Sequence, residues 1–150
     1  MLKASLYHIQ INISNPKISI PFYKDLMLFL GYEIKMEGED YIGFTNNITD
    51  FWFIATESKF IKNGFHRKNT GLNHLAFKLS SKNEVEVFHK EFLRARNIKT
   101  LYDTPKLFPE YGDEYYAVFF EDPDRIKIEI VYKESPQKIK SNNKKNARPI

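Results

Sequence analysis

The chain has 150 residues, 42% of them apolar, with 13 Phe and 9 Tyr but no Cys. That suits one domain with a sizeable core and excludes a disulfide framework or a thiolate metal centre. The net charge of +4 is local: residues 133–150 hold six Lys or Arg against one acid, a net +5, so the first 132 residues carry −1 and nucleic-acid binding by the folded body is not expected.

Residues 4–13 alternate, with Tyr7, Ile9, Ile11 and Ile13 against His8, Gln10 and Asn12. This is the pattern of a strand with one apolar and one polar face. Asn15 and Pro16 then read as the cap and first position of a helix. Ile18, Phe22, Leu26 and Phe29 supply its stripe, and Gly31 closes it at Leu30. Strands are expected at about 32–37, 40–45 and 50–57, with turns at Gly38-Glu39 and Asn46-Asn47.

Residues 58–71 read as a polar connector, after which the order repeats. Residues 72–79 alternate, with Leu75, Phe77 and Leu79 opposite His74, Ala76 and Lys78. Ser81-Lys-Asn-Glu84 has the form of a capping box. Val85, Phe88, Phe92 and Leu93 form a helical stripe running to Arg96. Strands follow at about 98–103, 114–121 and 126–132, with an insertion at 105–112. Asp122-Pro-Asp-Arg125 makes the last turn. Beyond it Ile126, Ile128, Ile130 and Tyr132 oppose Lys127, Glu129 and Val131. Residues 135–150 are polar and basic and are expected to form a disordered tail. It is read as a solvated segment, with contact to polyanions the less favoured use. No apolar run approaches the roughly 20 residues of a membrane span, and no signal-peptide pattern opens the chain. A cytoplasmic protein that binds no membrane is expected.

The element order is therefore β-α-β-β-β twice. The last hairpin has an aromatic strand, Asp122-Pro123-Asp124, then a strand carrying Glu129. It resembles the closing hairpin of the vicinal oxygen chelate superfamily, which includes glyoxalase I, extradiol dioxygenases, and fosfomycin- and bleomycin-resistance proteins. Arg125 stands where that pattern usually has Gly. A His in the strand opening each half, His8 and His74, is a second point of likeness. The similarity covers about residues 4–133. It implies an α+β fold in which two βαβββ modules form curved mixed sheets around a central cavity, with helices on the outer faces. The modules would be 4–57 and 72–133 within a glyoxalase-like domain spanning 1–134.

The resemblance implies that His8, His74 and Glu129 are metal ligands. Two imidazoles and a carboxylate suit one divalent ion of Fe, Mn, Zn, Ni or Co. Aligning residues 51–55 with 127–131 sets Phe53 opposite Glu129, so a fourth protein ligand is not expected. Glu129 and Tyr115 are the candidate catalytic residues. Gln10, Phe53, Lys78, Tyr111, Phe119 and Lys127 are candidates for substrate binding, the two lysines favouring an anion. His66 and His89 read as surface residues. The implied function is metal-dependent chemistry on a small oxygenated molecule, as a lyase, isomerase, dioxygenase or thiol transferase. The alternatives are a metal-free binding protein of the bleomycin-resistance type and a domain in which the triad survives as a hydrogen-bonded trio. A homodimer is also implied, its modules paired within one chain or exchanged between two.

Overall fold

The computed structural model describes residues 1–134, so the expected tail at 135–150 lies outside the described residues. The described chain is an α+β fold with two βαβββ modules. The elements are β1 (His8–Ile13), α1 (Pro16–Phe29), β2 (Glu33–Glu37), β3 (Tyr41–Thr45), β4 (Asp50–Ala55), α2 (Ser58–Ile61), β5 (His74–Leu79), α3 (Lys82–Phe88), β6 (Thr100–Leu107), β7 (Tyr116–Glu121) and β8 (Lys127–Tyr132). A π-helical turn (His89–Leu93) and a 3-10 turn (Arg94–Arg96) extend α3 to the expected end. The polar connector thus contains a short helix. The insertion expected at 105–112 begins as strand, because β6 runs on to Leu107.

Two four-stranded sheets result, ordered β1-β4-β3-β2 and β5-β8-β7-β6. In each, the first strand pairs in parallel with the last, and the other pairs are antiparallel. The chain divides into two compact units. One holds residues 1–66 and 122–126; the other, among the described residues, holds 67–121 and 127–134. The turn between β7 and β8 thus groups with the first unit.

Local chemistry fixes the ends of α1 and the start of α3. Asn15 accepts from the Lys17 amide at 3.2 Å, and Pro16 opens α1. At its end, Gly31 has φ of +83°, with Gly31 N–H donating to Leu28 and Tyr32 N–H to Met27. This pair of bonds is a Schellman closure, for which glycine is favoured. The capping box of α3 is half formed. Ser81 Oγ accepts from Glu84 N–H at 3.1 Å, while the Glu84 carboxylate reaches back to Ser80 N–H at 2.8 Å.

The buried face of α1 departs from the expected stripe. Ser19, Ile20, Tyr23, Leu26 and Met27 are buried, whereas Ile18 and Phe29 are exposed. The helix is turned by what Tyr23 meets. Its ring stacks on Phe53 at 3.5 Å, and its hydroxyl donates to Asp122 Oδ2 at 2.6 Å. In the second unit Val85, Phe88, Phe92 and Leu93 are all buried, as the stripe requires, and Phe88 stacks on Phe92.

The Asp-Pro-Asp turn does more than reverse the chain. Asp122 Oδ1 accepts from the amides of Asp124 and Ile126 at 2.9 and 2.6 Å. Asp124 accepts from Ser14 N–H and Ser19 Oγ, each at 3.1 Å. It thereby supplies the negative charge that α1 lacks in its own first turn. Burial is the main cause raising the Asp122 carboxyl to about 6, against the pull of its three donors.

Candidate functional site

In the second unit, parallel pairing of β5 with β8 sets His74 beside Lys127 and Ala76 beside Glu129. His74 Nε2 lies 3.1 Å from Glu129 Oε2, with Glu129 only 2% exposed. The imidazole is oriented from behind. Asn73 Nδ2 donates to the Arg67 carbonyl at 3.2 Å, which turns Asn73 Oδ1 toward His74 Nδ1 at 2.9 Å. Asn73 Oδ1 can accept from Nδ1–H, and Nε2 then faces the Glu129 carboxylate, an approach that a proton or a cation between the two would make favourable.

Tyr115 donates to the other oxygen, Glu129 Oε1, at 2.5 Å. Burial, followed by the nearby carboxylate, raises the Tyr115 hydroxyl well above its usual range, so it stays a donor. Phe108, Ala117, Phe119 and Val131 pack around this pair, with Leu101, Tyr111 and Tyr115 against them. Tyr111 lies 5.4 Å from Tyr115, and Phe119 meets His74 edge-on at 6.4 Å. Lys127 is 2% exposed, its ammonium over the rings of Tyr102 and Phe119 at 5.7 and 5.4 Å. Burial and then the Arg67 charge lower its pKa, while Glu129 opposes them. Lys78, by contrast, is exposed.

In the first unit, β1 and β4 pair with the same register. His8 sits beside Asp50, and Gln10 beside Trp52. His8 and Gln10 are exposed. Asp50 is held below the usual carboxylate range, first by Lys35 at 2.5 Å and then by Thr45. The Trp52 ring lies over Gly43, where an added Cβ would come within 2.6 Å of it. A cavity of about 620 Å³ opens between the ends of β1 and β4 and the connector, with Gln10, Asn12, Ile54, Phe60 and Asn63 among its walls.

The Bacillus subtilis protein YqjT, of uncharacterised function, is 34% identical over 126 residues, covering 84% of this chain and 97% of that one. The crystal structure of a candidate glyoxalase from Bacillus halodurans is 39% identical with a TM-score of 0.78, covering 85% of this chain and 95% of that one. The chain belongs to the vicinal oxygen chelate superfamily. The glyoxalase/bleomycin resistance/dioxygenase domain from Frankia shares the fold, with a TM-score of 0.68 at 16% identity over 89% of this chain and 100% of that one. No family model matches the chain.

Superfamily members typically use a divalent metal. The donor types at His74 and Glu129 suit one: an imidazole nitrogen and a carboxylate oxygen converge, and Asn73 orients the imidazole as a partner behind a metal-binding histidine does. Among the described residues, no group of three or more His, Cys, Asp or Glu side chains is arranged to hold an ion.

Superposing the superfamily repeat on His8 and His74 corrects one expectation. The register sets Trp52, not Phe53, at the position of Glu129. Phe53 is fully buried against Tyr23 and Phe44 beneath α1 and cannot bind substrate. Pairing residues 51–55 with 127–131 is one residue out of this register, and a one-residue slip turns a strand's side chains to the other face. Trp52 cannot coordinate either, so that position still offers no fourth ligand. Lys127 is corrected in part. It shares the strand face of Glu129, but it is packed against aromatic rings rather than reaching into solvent. Sequence reasoning missed Asn73, Trp52 and the connector's Phe60 and Asn63. Counting strand register outward from the two histidines would have found Trp52.

Proposed function

We propose that the protein is a divalent-metal-dependent enzyme acting on a small oxygenated molecule. The observation that carries this reading is the 3.1 Å approach of His74 Nε2 to buried Glu129. His74 and Glu129 would hold the ion, with His8 as the third donor by its equivalence to His74 in the repeat. The metal would act as a Lewis acid toward a substrate with two neighbouring oxygens. Asn73 fixes the imidazole. Tyr115, which keeps its proton, holds the Glu129 carboxylate in place, a positioning role. Phe119 and Tyr111 exclude water around the pair. Gln10 faces substrate in the first unit. Cytoplasmic location and a homodimer belong to the same proposal.

Elemental analysis of protein prepared without chelator or metal-affinity resin tests it. One divalent ion per chain is expected, with affinity falling as pH drops because protons compete for imidazole nitrogen. His74→Ala should abolish stoichiometric binding. Unchanged metal content in that variant removes His74 from the site. Tyr115→Phe should keep the metal while costing about 1–3 kcal/mol of stability, since Glu129 Oε1 loses its donor.

A second reading has its own support. Tyr115 and His74 already engage both oxygens of Glu129, which makes a closed hydrogen-bonded trio. In that case the chain would be a metal-free binding protein. It would take up no divalent ion even when one is supplied in excess.

A further inference from the structure

We propose that the cavity of the first unit is a binding site for a small neutral or cationic molecule with an apolar body, and that it disfavours anions. At about 620 Å³ it has the size of a small-molecule site. It shares Gln10 with the residues assigned to the reaction above and does not depend on metal binding.

The chemistry of its walls sets the ligand class. Gln10, Asn12 and Asn63 line it with side-chain amides. Each amide offers both a donor and an acceptor, which suits hydroxyl, carbonyl and amide groups. Phe60 and Phe65 supply aromatic surface. Phe60 is 50% exposed and neighbouring Ile61 is 42% exposed, so apolar surface of the connector stands ready to be covered. The connector's backbone holds that wall in place: Phe60 N–H donates to Glu57, Asn63 N–H to Phe60 and Gly64 N–H to Ile61.

Among the described residues, the charged ones lining the cavity are Glu57 and Asp124, with no Lys or Arg. Glu57 carries its own partner, Lys59 Nζ at 2.8 Å, so Asp124 is the lining charge that would repel a carboxylate or phosphate and attract an amine. This sets the first unit apart from the face of Glu129 in the second, where Lys127 and Arg67 lie near each other.

Three probes that share a phenyl ring test the proposal: 2-phenylethylamine, 2-phenylethanol and phenylacetate. Each is titrated to about 10 mM, the range of fragment affinities, into the full chain with EDTA present, so that metal plays no part. Side-chain amide signals of Gln10, Asn12 and Asn63 are followed by NMR. The amine and the alcohol should shift these signals, with phenylacetate weaker by about fivefold or more. Phe60→Ala should weaken the amine and the alcohol alike without changing the thermal midpoint, because that side chain is half exposed. Glu57→Lys should narrow the preference for amine over acid. The proposal is overturned if the acid binds as well as the amine, if none of the three probes moves those amides, or if Phe60→Ala leaves binding unchanged. Because the chelator is present throughout, these outcomes are read separately from the loss of metal in His74→Ala.

Discussion

The two units are built on one plan and differ in what that plan carries. Both have a parallel pair between first and last strand in identical register. Both cover one sheet face with a helix. On the other face, the second unit buries Glu129 and Lys127 among aromatic rings, with half-buried His74 and Tyr115 on the carboxylate. The first unit at the matching positions has exposed His8, Asp50 paired to Lys35, and Trp52 over Gly43. The backbone repeat thus fixes where side chains can point, and substitution at three or four strand positions decides which half holds buried polar chemistry.

Phe53 and Trp52 offer the sharpest way to break that comparison. Phe53→Ala removes a fully buried ring stacked on Tyr23, and should cost about 3–5 kcal/mol by denaturant unfolding. Trp52→Ala, on the partly exposed face, should cost distinctly less. If the two costs were reversed, the strand would be turned over and Phe53 would stand opposite Glu129 after all.

A smaller effect concerns Asp122, whose carboxyl is raised to about 6 from 3.8. A raised folded-state value means that its contribution is fully present below the unfolded value and is lost as pH climbs through the folded one. Stability should therefore fall by up to about 3 kcal/mol between pH 4 and 6 on account of this group. Asp122→Asn keeps an oxygen for the two turn amides and should remove that component. The difference between variant and wild-type unfolding curves across this range measures it, and a flat difference would refute the assignment.

The smallest effect is at Arg125, a non-glycine residue that takes φ of +67°. Arg125→Gly should relieve left-handed strain and raise stability by up to about 1 kcal/mol, after the added freedom of the unfolded chain is subtracted. A thermal midpoint that drops instead would show that contacts of the Arg125 side chain outweigh the strain.

Much of the fold was legible in the chain itself. Alternation set the strands, Asn15-Pro16 and Gly31 bounded α1, and the repeat of β-α-β-β-β needed no partner to be seen. These signals are local: a strand's period or a helix cap depends on residues within a few positions of each other. His74 and Glu129 were legible for the same reason, each a polar side chain on a strand's non-core face. Strand order and register were not, because they are set by pairing between segments up to some fifty residues apart. That is why Phe53 was assigned to the wrong face, and why the buried side of α1 was misjudged until Tyr23 met Asp122. The cavity beside the connector was hidden likewise. A polar sequence becomes a wall only when tertiary structure carries Phe60 and Asn63 to the ends of β1 and β4.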